Sequence, residues 1–423
     1  NISNKLFMFL DVNKAKREAS GKNIQTYIEG LDSTSGIVKI KYNIDDTQNV
    51  YASYLKGEDK RDDYKGPQTY KIERDIYTLG YVKSFEKIAL SLDYTNAKTD
   101  TESNTSAFKG EHNLNTDTLD VETKISAIPY NYVIIGTGTT KDKYERYDKA
   151  TSVGKNFDRR ANNYYIQDEI ELGDFIFTLG TVLDDNEKYG NEFSPNIGVV
   201  YKIDDQQRLK TSFGEGFKTP DVKQGSSSYF AASTWGNDDL KPETSKNFEV
   251  GYEFYGQDTL FKTAIFNNEI ENMIEIERNV KNVNQHQYRN IDKVNIKGFE
   301  AEFEYNFLDN HAFNVNYTLL KTENKSGANK GKEVQYRPKN TVNVGLTSDF
   351  DYGISSYLSA NYVGTQYKDG ANTDRLKAYT VANIQISKKL SKDLTARIGV
   401  DNIFDKHFDE TKDGADYLDR RLA

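Results

Sequence analysis

Cysteine and long apolar runs are both absent from this chain of 423 residues. Without cysteine there is no disulfide framework, no thiolate metal site and no cysteine nucleophile. No window approaches the ~20 apolar residues that a membrane-spanning helix needs, and the mean hydropathy is -0.78. These absences exclude a helical membrane protein. They leave open a membrane barrel, in which only alternate residues of each strand face lipid.

Histidine is scarce as well, with four residues in the chain: His112, His286, His311 and His407. None of them has a histidine or carboxylate partner at a metal-ligand spacing such as HExxH. The aspartates at 184–185 and 204–205 are interpreted as loop and turn residues rather than a calcium site. We therefore predict no catalytic residue, no metal site and no resident cofactor, and we expect the chain not to be an enzyme.

Positive charge is in deficit, because 56 Lys and Arg stand against 65 Asp and Glu and the net charge is -9. This balance argues against a nucleic-acid partner. Aromatic residues are plentiful by contrast, with 30 Tyr and 22 Phe but only 1 Trp. The 6 prolines all fall in connections or at the ends of predicted strands, where a missing N–H does little harm.

Alternation of apolar and polar residues predicts β-strands along most of the chain. It is clearest over 299–307, where apolar residues alternate with Glu300, Glu302, Glu304 and Asn306. Such alternation puts one set of side chains on each face of a sheet, so we interpret these glutamates as a hydrated face rather than an acid/base pair. Two to four strands are predicted in 1–45. The other candidate strands lie near 47–56, 73–84, 88–97, 116–126, 131–140, 160–171, 175–183, 195–203, 207–217, 246–254, 259–270, 293–307, 312–321, 339–349, 354–366, 377–388, 393–404 and 417–423.

Connections between the predicted strands are alternately short and long. Tight turns are predicted at Phe85–Lys87, Ala127–Tyr130, Leu172–Asp174, Asp204–Gln207, Tyr255–Asp258, Leu308–His311, Phe350–Gly353 and Lys389–Lys392. Between them lie polar excursions at 98–115, 141–159, 184–194, 218–245, 271–292, 322–338, 367–376 and 405–416. A soluble sandwich has no reason to separate its loops in this way. The pattern predicts an all-β fold, a large antiparallel transmembrane β-barrel of about 22 strands with short periplasmic turns and long extracellular loops.

Residues 206–254 contain a strand, a long polar excursion and a returning strand. The first part of this stretch carries Gly214, Gly216, Phe217 and Pro220. The second part carries Asn237, Leu240, Lys241, Pro242, Glu243, Glu249, Gly251 and Glu253. In order and spacing these residues resemble the GxGFxxP-like and LKPE-containing segments of TonB-dependent outer-membrane receptors.

Further segments are similar to the same family. They are carried by Gln167, Asp168 and Glu169, by Gly180 and Asp184, by Ser194, Pro195 and Gly198, and by the runs NIKGFEAEFE at 295–304 and DNIFDKH at 401–407. The arginine that the family usually has between Gly180 and Asp184 is Val182 here, so no role of that arginine carries over. The resemblance covers about 160–410. The first 160 residues share with the family only the regular succession of predicted strands and connections.

The resemblance implies an active transporter in the outer membrane of a Gram-negative bacterium that binds and imports a ferric siderophore. Family members have an N-terminal plug that engages TonB, so we expect 1–423 to be the barrel domain without its plug and with a truncated last strand. The implied partners are the siderophore, TonB through the plug, outer-membrane lipid and lipopolysaccharide, and bacteriocin or phage. The alternatives are a family receptor for cobalamin, haem or a host iron protein, and a passive porin-type channel.

Candidate ligand-binding residues lie in two of the polar excursions. The segment 141–160 mixes seven cations and four carboxylates with aromatic residues, a combination that suits an anionic aromatic ligand such as an iron-loaded catecholate. The alternatives are a solvated charged loop or a lipopolysaccharide-facing patch. The loop 224–238 adds large aromatic residues, which contact either ligand or neighbouring loops. The candidates are Lys141, Lys143, Tyr144, Arg146, Tyr147, Arg159, Arg160, Tyr229, Phe230 and Trp235.

One absence bears on haem. Haem receptors of the family typically carry a histidine between a FRAP-like and an NPNL-like segment. The corresponding residues, 217–240, contain no histidine. The sequence therefore predicts that this loop supplies no axial ligand to haem iron.

Overall fold

The computed structural model describes residues 5–19, 30–62, 69–104, 109–149, 153–227, 229–231, 234–277, 280, 285–392, 394–404 and 406, without the side chains of 153, 155, 230, 231 and 292. Almost all regular structure in these residues is β-strand. The strands are β1 (Leu6–Arg17), β2 (Leu31–Asp45), β3 (Gln48–Asp62), β4 (Thr69–Ser84), β5 (Ile88–Asn104), β6 (Lys109–Ile125), β7 (Asn131–Asp148), β8 (Val153–Leu172), β9 (Phe175–Asn186), β10 (Gly190–Lys202), β11 (Gln207–Lys218), β12 (Phe230–Ala231), β13 (Thr234–Trp235), β14 (Glu243–Tyr255), β15 (Thr259–Glu277), β16 (His286–Phe307), β17 (His311–Asn324), β18 (Asn340–Phe350), β19 (Ile354–Val363), β20 (Gln366–Tyr367), β21 (Arg375–Leu376), β22 (Tyr379–Lys389) and β23 (Thr395–Val400).

Helical structure in the described ranges is confined to a 3-10 turn, Asp351–Gly353. It lies between β18 and β19, in one of the predicted tight turns, and both Tyr352 and Gly353 have positive φ. In the part of the chain that the structure describes, no helix has the length and apolar character needed to cross a membrane.

The long strands form one antiparallel meander, in which each pairs with the next long strand along the chain. This 21-stranded sheet consists of nineteen long strands and the two-residue strands β12 and β13. β13 pairs in parallel with β16, and β20 and β21 form a separate hairpin. Between the described residues of β1 and β23 no pairing is present.

The predicted strand rhythm is confirmed. Of the 18 strands predicted after residue 46, seventeen are present at the expected places. The remaining one, near 417–423, lies outside the described residues. The N-terminal stretch, for which two to four strands were expected, contributes β1 and β2. About 22 barrel strands were expected, and the described ranges contain nineteen long strands.

Several predicted polar excursions are in fact the ends of long strands. β7 has 18 residues and continues to Asp148, and β8 has 20 residues and begins at Val153, so most of 141–159 is two paired strand ends. β16 reaches 22 residues. A tilted strand crosses a bilayer in ~9–11 residues, so these hairpins extend well beyond it. We call this the outer end of the barrel, because its connections are the long ones.

The two faces of the sheet differ in polarity. One face exposes large apolar side chains along neighbouring strands, among them Phe248 (49% exposed), Ile265 (58%) and Phe303. In a transmembrane barrel the apolar face contacts lipid and the polar face lines the interior. We call them the outer face and the lumen face.

The lumen face carries the glutamate row of β16. Glu300 and Glu302 alternate with the outer-face residues of the strand, and Lys262 of β15 donates to Glu302 at 3.3 Å. Lys210 of β11 forms a second ion pair with Glu253 of β14. The glutamates of β16 thus lie on the polar face of the sheet, as the alternation predicted, and lysines of neighbouring strands form ion pairs with carboxylates of this face.

Candidate functional site

The segment between β11 and β14, residues 219–242, is anchored to the barrel wall on two sides. We call it the β11–β14 loop. On one side Arg159 of β8 donates through Nη1 to Thr219 Oγ1 (3.2 Å) and to the carbonyl oxygen of Pro220 (3.0 Å). On the other side the Lys241 N–H donates to Asn290 Oδ1 of β16, and Asn290 Nδ2 donates back to the Lys241 carbonyl, both at 2.8 Å. Since β8 lies three strands before β11 and β16 two strands after β14, the loop spans a wide sector of the outer end.

Further contacts hold the middle of the loop. Lys188, between β9 and β10, donates to the Gly225 carbonyl at 2.6 Å and lies 3.8 Å from the Asp238 carboxylate. Asn237 donates its side-chain amide to the carbonyl oxygen of Tyr288 in β16 at 3.2 Å. These bonds satisfy polar groups of a long segment that lacks regular structure over most of its length. The described part of the loop is therefore a folded unit.

A buried ion pair fixes the arginine that holds the start of the loop. Asp142 of β7 is 6% exposed. Its carboxylate accepts hydrogen bonds from Arg159 Nη2 at 2.6 Å, from Arg159 Nε at 3.2 Å and from Thr116 Oγ1 at 2.8 Å. Charge-assisted bonds of this kind are stronger than neutral ones. Asp142 thus orients Arg159 toward Thr219 and Pro220.

Beside this pair, an aromatic and cationic cluster packs under the loop. Tyr144 of β7 is 3% exposed, and its hydroxyl lies 3.2 Å from His112 Nδ1 on β6. The Tyr144 ring centroid lies 5.3 Å from that of Phe157 and 6.5 Å from that of Tyr229 in the loop. The guanidinium carbon of Arg146 lies 5.9 Å from the centre of the Tyr229 ring, within the range of a cation–π contact.

Burial sets the charge state of the cluster, which lies beyond the membrane-crossing part of β6 and β7. Burial, together with the smaller effect of the positive charges of Arg146 and Lys223, lowers the pKa of His112 to about 4. Burial also raises the pKa of the Tyr144 and Tyr229 hydroxyls. At neutral pH the histidine and both tyrosines are therefore uncharged, and Arg146 carries the positive charge.

The stability of this region should depend on pH through His112. The folded protein keeps His112 neutral down to about pH 4, whereas the unfolded chain binds the proton below about pH 6.5. Stability should therefore be unaffected by His112 above pH 6.5 and fall as the pH drops from 6.5 to 4, by at most about 1.4 kcal/mol per pH unit. Thermal unfolding at pH 7.5, 6 and 5 measures this slope.

Two variants identify the cause of that slope. His112→Asn should flatten it, because the titrating group is gone. Tyr144→Phe should keep it, because burial rather than the Tyr144 hydroxyl is the main cause of the lowered pKa. Equal slopes in the wild type and in His112→Asn would contradict the prediction.

The structure separates the candidate residues by face. Successive residues of a strand point to opposite faces, so Tyr144, Arg146 and Arg159 reach the lumen face, where they meet the loop and Tyr229. The other four candidates of this segment lie on the outer face: Lys141, Lys143, Tyr147 and Arg160. Trp235 is in β13, opposite Gln287 of β16. The side chain of Phe230 lies outside the described residues.

Several residues of the cluster were not among the predicted candidates. His112 comes from β6, and Asp142 is one of the four carboxylates of 141–160, which were interpreted only as charges opposing the cations. Two further tyrosines lie beside the loop: the Tyr288 carbonyl of β16 accepts a hydrogen bond from Asn237, and the Tyr189 ring of the β9–β10 connection lies 5.4 Å from the Lys188 ammonium group. Alternate residues of β7 point to opposite faces of the sheet, so 142, 144 and 146 share one face. This alternation is the one sequence signal that could have distinguished them from their neighbours on the other face. The contributions of distant strands carry no such signal.

No arrangement of three or more His, Asp or Glu side chains suited to a metal ion occurs within the described ranges. The fold does bring a histidine to the loop, since His286 of β16 pairs with Thr234 of β13. The loop itself lacks histidine. Any histidine beside a ligand at this place would come from the barrel wall.

Comparison with known proteins identifies the fold. Residues 20–403 match the family model described as TonB dependent receptor-like, beta-barrel. The chain is 25% identical over 428 residues to the probable TonB-dependent siderophore receptor PirA of Acinetobacter baumannii, covering 81% of this chain and 56% of PirA. It is 26% identical over 402 residues to the vitamin B12 transporter BtuB of Vibrio cholerae, covering 91% of this chain and 62% of BtuB.

Among solved structures, the ferric enterobactin receptor PfeA of Pseudomonas aeruginosa superposes with a TM-score of 0.83 at 19% identity, covering 96% of this chain and 71% of PfeA. The chain thus spans less than two thirds of the length of the relatives it matches by sequence. Its strand-rich fold is that of outer-membrane β-barrels of Gram-negative bacteria. The chain belongs to the TonB-dependent receptor-like β-barrel family, and its place is the outer membrane.

Proposed function

We propose that this chain is the barrel domain of a receptor that binds a ferric siderophore at the outer end and imports it with energy delivered through TonB. Support comes from the family and from relatives named as siderophore receptors. The engagement of TonB is assigned to a plug domain that would precede the barrel. The proposed transport forms and breaks no covalent bond, so we assign no enzymatic activity and no resident cofactor.

The β11–β14 loop is the observation that carries this proposal. It carries Tyr229, Lys223 and Trp235, the last of which lies opposite Gln287 of β16. The wall adds Tyr288, close enough to Tyr229 to influence its hydroxyl, and Lys188, which lies 3.8 Å from the Asp238 carboxylate of the loop. Aromatic rings stack on other rings, and ammonium groups neutralise anionic oxygen. An iron complex of catecholates is both aromatic and anionic, so we propose this ligand class over neutral hydroxamate complexes.

Tyr144 and Arg146 have a supporting role in this proposal. They are buried under the loop, so they position Tyr229 rather than touch the ligand. The outer-face candidates Lys141, Lys143, Tyr147 and Arg160 are on the opposite side of the wall from the loop. In this proposal they are not ligand contacts, because the siderophore would pass through the lumen.

Binding of a ferric catecholate should quench the fluorescence of Trp235, the only tryptophan in the sequence. The measurement is equilibrium titration of the purified protein with ferric catecholate, ferric hydroxamate, cobalamin and haem. We expect saturable quenching with the catecholate alone. Tyr229→Ala should weaken that binding by about tenfold, the equivalent of about 1.4 kcal/mol. Lys143→Ala, on the outer face, is the matched control and should bind as the wild type does.

The other outcomes decide between the alternatives. Saturable binding of cobalamin, the cargo of the relative BtuB, or of haem would overturn the siderophore and keep the receptor class. Haem binding lost in His286→Ala would assign the ligand to the wall histidine beside the loop. Large unselective conductance in bilayers without any saturable binding would support a passive channel instead.

A further inference from the structure

Two more outer loops are folded against each other. They are the β17–β18 loop, residues 325–339, and the β19–β22 loop, residues 364–378, and we call them the paired loops. Asn372 joins them, because its Oδ1 accepts a hydrogen bond from the Glu333 N–H at 2.7 Å and its Nδ2 donates to the Glu333 carbonyl oxygen at 3.0 Å. One side-chain amide thus satisfies both backbone groups of a residue in the other loop.

The paired loops cover part of the lumen face of β17. Thr322 pairs with Ile296 of β16 and so shares the lumen face with Glu300. The Thr322 Oγ1 accepts a hydrogen bond from the Val334 N–H at 3.0 Å. Val334 and Leu376, one from each of the paired loops, are buried. The paired loops therefore form a second folded unit at the outer end, besides the β11–β14 loop.

The outer part of the β15–β16 hairpin is bonded to both units. We call its residues 273–277 and 285–290 the β15–β16 tip. The β11–β14 loop is held by the two hydrogen bonds of Asn290 and by the pairing of β13 with β16. The paired loops are held by Glu275 of β15, which accepts a hydrogen bond from Gln335 Nε2 at 2.8 Å. A displacement of the tip would thus act on both units.

The base of the tip has an unusual backbone. Asn272 of β15 has a φ of 54°, although the antiparallel pairing includes Glu271 on one side of it and Met273 on the other. The left-handed region is uncommon for a residue with a Cβ, and asparagine tolerates it better than most. Asn290 Nδ2 donates to the Asn272 carbonyl oxygen at 2.6 Å. The asparagine that holds the β11–β14 loop therefore also holds the base of the tip.

We propose that the β15–β16 tip is a strap that couples the β11–β14 loop to the paired loops and pivots at Asn272. Hinges are a few residues that absorb changes in φ and ψ. Asn272 is the residue with positive φ in the part of this hairpin that the structure describes. When one unit detaches, the tip loses a restraint, and the bonds that it makes to the other unit weaken. Coupling of this kind is reciprocal.

Hydrogen exchange of the purified protein without ligand tests the coupling. Asn290→Ala releases the tip from the β11–β14 loop and should raise exchange at 364–378 by about fivefold or more. The reverse variant, Asn372→Ala, separates the paired loops and should raise exchange at 234–242. Asn131→Ala is the matched control, because it removes a side-chain bond to a backbone carbonyl in an inner turn. It should change exchange in neither unit.

A second variant guards against misfolding of Asn290→Ala. Asn237→Ala cuts the 3.2 Å bond from the β11–β14 loop to the Tyr288 carbonyl and leaves every residue of the tip in place. It should raise exchange in the paired loops in the same direction. If the β11–β14 loop opened in both variants while the paired loops kept wild-type exchange, the two units would be independent and the strap would be wrong.

An exchange of donor and acceptor tests the link to the paired loops. Gln335→Glu puts a second carboxylate against Glu275, so the link should break and Asn290→Ala should no longer affect the paired loops. Adding Glu275→Gln restores one amide and one carboxylate in reversed positions, and the effect of Asn290→Ala should return. Failure of this rescue would contradict the assigned link.

The pivot has its own pair of variants. Asn272→Gly keeps a residue that adopts positive φ at no steric cost, and it should leave exchange in both units near the wild-type level. Asn272→Val introduces a β-branched residue, for which positive φ is strongly disfavoured. It should raise exchange in both units several-fold. Equal exchange in the two variants would contradict a pivot at this residue.

Addition of ligand extends the test and rests on the proposed siderophore binding. Ferric catecholate should lower exchange in the paired loops of the wild type but not of Gln335→Glu. Equal protection in both proteins would mean that the ligand contacts the paired loops directly, and the strap would not be the route. Absence of any catecholate binding would count against the proposed function, whereas the exchange results without ligand would still decide on the coupling.

Discussion

Replacement of Asp142 by alanine should detach the start of the β11–β14 loop from the barrel wall. Asp142 is buried and holds Arg159 through two hydrogen bonds, and Arg159 in turn holds Thr219 and Pro220. Removing one partner of a buried pair leaves the other charge uncompensated. We expect the loop to lose about 3 kcal/mol of local stability. Hydrogen exchange and limited proteolysis of residues 219–227 measure this loss, and a thermal scan reports the remaining barrel.

The adjacent residue of the same hairpin supplies a matched control. Asp158 is next to Arg159 in β8 but lies on the outer face, and it forms no ion pair with any residue in the described ranges. Asp158→Ala should change the stability of the loop by no more than about 0.5 kcal/mol. If both alanine variants opened the loop equally, the buried pair would not be its anchor.

A double-variant cycle measures the coupling itself. Asp142→Ala/Arg159→Ala should cost less than the sum of the two single replacements, because the uncompensated charge disappears with its partner. A strictly additive result would mean that the two residues stabilise the loop independently. The siderophore titration on the same variants then shows whether an anchored loop is needed for binding.

The membrane-crossing part of the fold could be predicted from the sequence, because there each strand has lipid on one side and water on the other. That contrast imposes alternation, as in Phe299 to Phe307 against the glutamates of β16. It also keeps the connections at the inner end short, as between Phe307 and His311. Whether a side chain faces lipid or water depends on its position in its own strand. The order of apolar and polar residues in a single sequence therefore reveals it.

The outer hairpins could not be predicted in the same way. In the run Lys141–Asp148 both faces meet polar surroundings, so its side chains show no apolar alternation and the run was interpreted as a loop. What makes it a strand is its pairing with β6 on one side and β8 on the other. Backbone pairing between segments is a tertiary property. The composition of one segment does not record it.

The loop cluster was only half predicted for a related reason. Tyr144, Arg146, Arg159 and Tyr229 were chosen because cations and aromatic rings occur together, which is a property of composition. The same criterion also selected outer-face residues such as Lys143, which the wall separates from the loop. His112 was dismissed because its neighbours in sequence offer no partner, yet the fold places it 3.2 Å from Tyr144.

Gly236→Ala should disrupt the β11–β14 loop from within. Gly236 is buried in the loop, and its N–H donates to the carbonyl oxygen of Tyr229 at 3.0 Å. A Cβ at this position would lie 2.0 Å from the carbonyl oxygen of Ser226 and 2.5 Å from that of Lys223. Both obstacles are backbone atoms, which no side-chain rotation can remove. The turn would have to open, at a cost of about 3 kcal/mol, the upper end for overpacking.

The control is another glycine of the same region. Gly214 lies on the lumen face of β11, and a Cβ there would lie 3.7 Å from its nearest neighbour, an ordinary contact. Gly214→Ala should therefore retain wild-type loop protection in hydrogen exchange. Gly236→Ala should expose residues 222–240 to exchange and weaken ferric catecholate binding by at least about tenfold. If the loop opened while binding stayed at the wild-type level, the ligand would contact another part of the outer end, and the role proposed for Tyr229 and Trp235 would be wrong.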